Sequence, residues 1–233
     1  MLYNEEAVRA NIRNREGKRI FYLGKGDQLT SAARDYLSRE RIEIRPGEQA
    51  KQDCFPLLTG GFLTEKPEHM THLNGDFLVV KDHPRIIFRG KLDTLESELI
   101  LCQLTDKGLE ASVGEILELA RRIIRCEVLD EPLQWDRLCG LTEEEQRKRS
   151  HFPQDYYGQP HFMPSAADGA AIARLNRARC AAREAELAAV TAFRDREGNP
   201  TRVDILRAMN RMSSMLYLLM IGKRADAGRG KER

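Results

Sequence analysis

Apolar residues recur at intervals of three and four through most of the chain after Pro84, the period of an amphipathic helix. Phe88, Leu92, Leu95, Leu99 and Cys102 share one face of a first helix. Val113, Ile116, Leu117, Ala120, Ile123, Ile124 and Val128 share one face of a second, which Pro132 ends. A third helix is predicted from about Ala167 to Phe193, and a fourth from about Val203 to Ile221. Between the second and third, LTEEEQRKRSHFPQDYYGQPHFMPSA opens as a short helix and continues as an aromatic, proline-rich loop. Such helices must bury their stripes against one another, which predicts a mainly α, five-helix-type bundle.

Residues 1–76 follow a different pattern. RIFYL (19–23) reads as a short strand and GKGD as a turn. Thr30 or Ser31 then caps a helix to about Arg39, and the strand RIEI ends at Pro46-Gly47. Residues 46–70 hold three of the nine prolines and a Gly-Gly pair, a loop composition. The expected organisation is a small N-terminal α+β extension over 1–76, a bundle over 77–223 and a disordered basic tail over 224–233.

Composition narrows the classes. Hydrophobic residues make up 41% of the 233, enough for a packed interior. Charged residues make up 32%, but the net charge is only +2, which gives no general case for nucleic acid or an anionic membrane. No apolar run reaches the roughly 18 residues of a bilayer span. The opening MLYNEEAVRANIRNREGKR is polar and mixed in charge, unlike a secretion signal. Cys54, Cys102, Cys126, Cys139 and Cys180 form no CxxC pair, and such a dispersed set reads as reduced thiols in a cytoplasmic protein.

Charges on apolar faces carry the chemical signal. In the third helix Leu175, Ala182, Ala189 and Phe193 mark the stripe, and Arg179, Arg183 and Glu186 lie on or beside it. Burying such charges is costly unless they pair or meet a ligand. Two readings are open: an intrahelical salt bridge at a wet edge, or a polyphosphate site, since guanidinium forks match phosphate oxygens. In the fourth helix Asn210 stands on a stripe with Leu206, Ser213, Tyr217 and Met220 and needs partners, while Arg211 faces either solvent or a site. In KDHPRIIFRGKLDTLESEL (81–99), Gly90 costs about 1 kcal/mol relative to Ala inside a helix, which points to close approach by another chain or a ligand. Asp93, next to the inward Leu92, can meet an arginine of another helix, and Arg85 follows Pro84 at a helix start, where an anion is favoured. LGKGD (23–27) has the composition of a phosphate loop without its spacing. His69, His72, His83, His151 and His161 show no metal-ligand spacing; Cys54 with His69 and His72 is the one metal set in view, and no bound structural metal is expected.

These segments together resemble the corrinoid adenosyltransferases. KDHPRIIFRGKLDTLESELIL is similar to the family segment with a Gly-x-x-Asp-Glu-Leu-Asn type motif, through Gly90, Asp93 and Glu96. RLNRARCAAREAEL resembles the arginine-rich helix, and ILRAMNRMSSMLYLLMI the final helix of the Leu-Asn-Arg-Leu-Ser type, through Asn210, Arg211 and Ser213. LTSAARDYLSRERIEI, MTHLNGDFLVVKDHPRI, RCEVLDEPL and GLTEEEQRKRSH look like the ethanolamine-utilisation branch, and the likeness covers most of residues 28–221. Two departures stand out. Members with a cysteine-rich metal site carry it before the Thr-His-Leu stretch, where this chain has Cys54 alone. FYLGKGDQLT only echoes the family's Thr-Gly-Asp phosphate loop.

The resemblance implies transfer of the 5'-deoxyadenosyl group of ATP to cob(I)alamin. It implies catalytic roles for Arg179, Arg183 and Glu186 around the triphosphate and a magnesium ion. Lys81, Arg85, Asp93 and Asn210 are implied in binding, with Asp93 paired to Arg179 across a subunit interface. An apolar cover for the corrin is implied, for which Phe152, Tyr156, Tyr157 and Phe162 are the candidates. Implied partners are a second copy of the chain with shared sites, a reductase and a bacterial microcompartment, in the cytoplasm. Two other readings use the same features: a non-catalytic corrinoid-binding or microcompartment scaffold bundle, and a nucleic-acid-binding bundle, which the near-neutral charge disfavours.

Overall fold

The structure is a computed structural model and describes residues 2–15, 18–46, 55–75 and 77–231. The chain divides into two compact units, Met1–Glu68 and His69–Arg233.

In the first unit, helix α1 (Glu5–Ala10) is capped by the Asn4 side chain, which accepts from Ala7 N at 2.9 Å. Strand Lys18–Leu23 leads through helix α2 (Ser31–Arg39) to strand Glu43–Pro46, which pairs parallel to it with Ile20 opposite Glu43 and Leu23 opposite Pro46. Thr30 caps α2 by accepting from Ala33 N. Val8, Phe21, Leu29, Ala33, Tyr36, Leu37 and Ile42 form a small separate core. The Gly24–Asp27 turn closes on itself: Gly24 N donates to Asp27 Oδ2 at 3.2 Å. A carboxylate therefore already holds an amide that a phosphate loop would offer to its ligand.

The second unit begins at His69, not at residue 77. Met70–His72 pairs antiparallel with Leu78–Val80, and Lys81 N donates to His69 O at 2.8 Å, so the hairpin and the turn into the first long helix are one hydrogen-bonded piece. That helix, α3 (Pro84–Thr105), starts with proline at its first position and with His83 Nδ1 accepting from Arg85 N at 3.2 Å. Helix α4 (Glu110–Leu129) ends at Asp130 in the left-handed region, φ 56°. Helix α5 (Glu143–His151) opens with a reciprocal Thr142–Glu145 capping box. The short α6 (Pro153–Tyr157), then α7 (Gly169–Ala192) and α8 (Val203–Lys231) complete the order.

Helices α3 and α7 run antiparallel side by side, marked by Lys91–Glu184 at 2.9 Å and Arg177–Glu98 at 3.2 Å. Helix α4 packs on α3, α8 on α7, and α5 on α8. After Ile172 and Leu175 the buried residues of α7 are all alanine: Ala178, Ala181, Ala182, Ala185 and Ala189. Small side chains let neighbouring helices come close, and Leu92, Leu95 and Leu99 of α3 with Met209, Met212 and Met215 of α8 fill the remaining core.

The expected disordered tail at 224–233 is corrected over residues 224–231, which are helical, while 232 and 233 lie outside the described residues. Helix α8 continues to Lys231 because its last turns gain partners. Ala225 is buried, Lys223 pairs with Asp106 at 2.6 Å, Arg224 with Asp168 at 3.5 Å, and Arg229 with Asp226 one turn away. Among the described residues no helix is long and apolar enough to cross a membrane.

Candidate functional site

The polar residues of α7 and α8 meet on one side of the bundle. Arg179, Arg183, Glu186 and Leu187 of α7 line a pocket of about 350 Å³ with Asn210, Ser213, Ser214 and Tyr217 of α8 and Ser150 of α5. The spacing explains this convergence. Residues 179, 183 and 186 rise along one edge of α7, and 210, 213, 214 and 217 along the facing edge of α8.

The anticipated intrahelical salt bridge is not what these residues form. Glu186 Oε1 accepts from Asn210 Nδ2 at 2.8 Å, and Asn210 Oδ1 accepts in turn from Arg211 Nη2. Both ends of the amide are thereby fixed, which answers how an asparagine sits on an apolar stripe. Ser213 and Ser214 both donate to the Asn210 carbonyl, at 3.0 and 3.1 Å. Among the described residues neither Arg179 nor Arg183 has a carboxylate partner. Arg179 lies over the Tyr217 ring, its Cζ 5.3 Å from the centroid, and Arg183 is exposed. Arg211 is half-buried, and its Nε and Nη1 have no hydrogen-bond partner. Burial is the main cause that holds its guanidinium below the ordinary value; Arg147 and Arg207 push the same way, and Glu143 and Glu186 oppose.

Three residues expected at the site are not brought to this pocket by the chain. Arg85 is engaged elsewhere: with Arg89 it clamps the fully buried Glu127 of α4. Arg85 Nε binds Glu127 Oε1, Arg85 Nη2 donates to the Glu127 carbonyl at 2.7 Å, and Arg89 Nε donates to Oε2 at 2.6 Å. Arg89 Nη2 also reaches Leu73 O at 2.6 Å and ties the hairpin to the bundle. The anion at this helix start is a side chain 42 residues away, which local sequence cannot reveal. Lys81 is exposed in the turn before α3. Asp93 is exposed on the outer side of α3 and forms no ion pair with Arg179 within the chain. Gly90 is also exposed, and a Cβ there would meet no atom of the described residues within 4 Å, so nothing among them requires glycine.

The loop proposed as an apolar cover divides. Phe152 and Tyr156 are exposed, whereas Tyr157 and Phe162 pack on the core. The structure adds one residue that spacing could not single out. His161 Nδ1 lies 2.8 Å from the Tyr217 hydroxyl, and the ring planes are within 7° of parallel. Cys54 lies outside the described residues; among those described, no group of three metal-ligating side chains comes together, His69 and His72 included.

On this helical bundle the pocket thus presents two arginines with no carboxylate partner among the described residues, and an oriented amide beside a carboxylate. The family model for cobalamin adenosyltransferase matches residues 62–222. The chain is 31% identical to the corrinoid adenosyltransferase EutT of Salmonella typhimurium over 93% of this chain and 90% of that protein. It is 29% identical to the corrinoid adenosyltransferase EutT of Escherichia coli over the same shares. The chain belongs to the cobalamin adenosyltransferase family.

Proposed function

We propose that this protein transfers the 5'-deoxyadenosyl group of ATP to cob(I)alamin, and that the α7–α8 pocket binds the triphosphate. The observation that carries the reading is the pair Arg179 and Arg183, which line the pocket on a packed helix and form no ion pair among the described residues. Cobalamin arrives as cob(II)alamin, and a reductase supplies one electron to give cob(I)alamin. Its cobalt lone pair attacks C5' of ATP; the Co–C bond forms, the C5'–O bond breaks, and triphosphate leaves with the bonding electrons. Negative charge grows on that oxygen, and preorganised guanidinium groups lower the barrier by meeting it without reorganisation. Arg211, with two unpaired N–H groups beside Asn210, supports the same polarity.

Glu186 fits a magnesium ion. One of its oxygens is held by Asn210, and the other has no hydrogen bond among the described residues. A carboxylate oxygen together with phosphate oxygens and water is the donor set this cation prefers. Bound there, the ion would offset triphosphate charge. Asn210, locked between Glu186 and Arg211, hydrogen-bonds the nucleotide.

The proposal includes a homo-oligomer with shared sites. Ile87, Gly90, Thr94, Ser97, Leu101 and Leu104 form a small or apolar stripe along α3, and Leu104 is 72% exposed. A second copy on this stripe would bring Asp93 to a neighbour's Arg179 and make use of the smallness of Gly90; Lys81 is assigned to the same nucleotide. The expected setting is the cytoplasm, in a microcompartment serving ethanolamine utilisation.

The decisive test is incubation with ATP, magnesium and chemically reduced cobalamin. The adenosylcobalamin spectrum is expected; corrinoid binding without turnover would favour the scaffold reading. For assembly, mixing inactive Asp93→Ala and Arg183→Ala proteins is expected to restore part of the activity. A fully active monomer by light scattering would refute the shared site.

A further inference from the structure

Tyr217 stands between the triphosphate pocket and the connection from α6 to α7. One face of its ring carries the Arg179 guanidinium. Its hydroxyl meets His161 Nδ1 at 2.8 Å, and the other ring nitrogen of His161, Nε2, lies 3.3 Å from the His151 carbonyl. A carbonyl oxygen only accepts, so Nε2 carries a proton. In the neutral ring Nδ1 is then an acceptor, and the Tyr217 O–H donates to it. Phe162 stacks on the same tyrosine with centroids 6.4 Å apart, and Arg224 Cζ lies 4.3 Å above Phe162. The connection is thereby fastened to α8 at the residue that supports the pocket arginine.

Electrostatics gives this chain of contacts a direction. A phenol that donates its proton into a hydrogen bond gains electron density on its ring. A more electron-rich ring attracts a cation over its face more strongly. His161 therefore acts on Arg179 through Tyr217. An arginine that must meet a leaving group has many rotamers, and fixing it before the ligand arrives removes an ordering cost from binding.

We infer that Tyr217 and His161 are positioning residues for the triphosphate: Tyr217 holds the Arg179 guanidinium over the pocket, and His161, anchored by the His151 carbonyl, sets the donor direction of the Tyr217 hydroxyl. The inference rests on the reading that Arg179 binds triphosphate.

Inorganic tripolyphosphate with magnesium, titrated calorimetrically into the full-length protein without ATP or corrinoid, tests it independently of turnover. Tyr217→Leu is expected to weaken binding about fivefold to tenfold, the range of a partly desolvated cation–π contact. In an Arg179→Ala background the same change is expected to weaken it less than about twofold, because coupled residues are not additive. Tyr217→Phe keeps the ring and should lose only about twofold to threefold; His161→Leu should match it, and His161→Gln, which retains an acceptor and a donor, should restore binding. Equal effects of Tyr217→Leu in both backgrounds, or normal binding in Tyr217→Leu, would overturn the inference. Should Tyr217→Leu fail to fold, Tyr217→Phe and the two His161 variants decide alone: unchanged binding in Tyr217→Phe and His161→Leu overturns it. Normal binding in both Arg179→Ala and Arg183→Ala would instead sink the triphosphate site itself.

Discussion

Helices α3 and α7 each carry a pair of arginines four residues apart, Arg85 with Arg89 and Arg179 with Arg183, and the pairs have opposite fates. On α3, Arg85 and Arg89 close on Glu127, which is 0% exposed, and spend further donors on backbone carbonyls. On α7, Arg179 and Arg183 have no carboxylate partner among the described residues and border a pocket. Spacing along the helix is the same. The difference lies in whether a buried acid is waiting on the neighbouring element. Where the fold supplies the counter-charge the arginine pair becomes structure; where it withholds it the pair is left to serve the proposed site.

That contrast can be broken in a graded way. Arg183→Ala should lower adenosyl transfer by about a hundredfold or more, the scale of removing one preorganised donor from a developing anion. Its thermal unfolding should be nearly unchanged, as for an exposed side chain; turnover near wild type would return the pair to a structural role. Glu127→Ala should do the reverse. Leaving two half-buried arginines uncompensated is expected to remove about 3–5 kcal/mol of stability in urea unfolding, while tripolyphosphate affinity of the folded fraction stays within about twofold. Loss of tripolyphosphate binding in that variant would show that the two clusters are coupled. Arg85→Ala alone should sit between, with lower stability and retained turnover, since Arg89 still faces Glu127.

The smallest effect concerns pH. Burial first, and Arg85 next, hold His83 below its ordinary value of 6.5, and its Nδ1 must be unprotonated to cap α3. The unfolded chain takes up this proton more readily than the folded one. The stabilisation is therefore present above the unfolded value and is lost as pH falls through the lower folded value. Unfolding free energy between pH 7 and 5 should drop by less than about 1 kcal/mol from this residue, the scale of a cation at a helix N-terminus. His83→Asn, which still caps, should flatten that part of the profile; an unchanged slope would assign it to other groups.

The bundle was legible because its helices are long and their stripes regular: Phe88, Leu92, Leu95, Leu99 and Cys102 are all fully buried on α3. Arg179, Arg183, Glu186 and Asn210 could be grouped in advance because each sits on or beside an apolar stripe. What escaped depends on distance along the chain. Glu127 reads as one more acid on a charged helix, and only packing brings it to Arg85. Ser150 and His161 lie in segments with no apolar period, so nothing local marks them as neighbours of α8. The end of α8 reads as a solvated tail because of its Gly and charge, whereas the ion pairs of Lys223 and Arg224 are made to Asp106 and Asp168 far upstream. Helix α1 went unread for a related reason: at six residues it is too short to show a periodic stripe.

The alanine face of α7 has a consequence for how this protein can vary. Ala178, Ala182 and Ala185 are each fully buried, and each immediately precedes a pocket residue: Arg179, Arg183 and Glu186. One ladder of peptide units therefore serves as a gauge on its inner side and as an alignment rail on its outer side. A methyl group added in this buried seam is expected to strain close packing, and any displacement it forces is passed within one residue to a guanidinium or a carboxylate. Drift in the interior and drift in the placement of the pocket side chains are the same event along this stretch. Substitutions that most packed cores would absorb should here be filtered as strictly as changes to the arginines themselves.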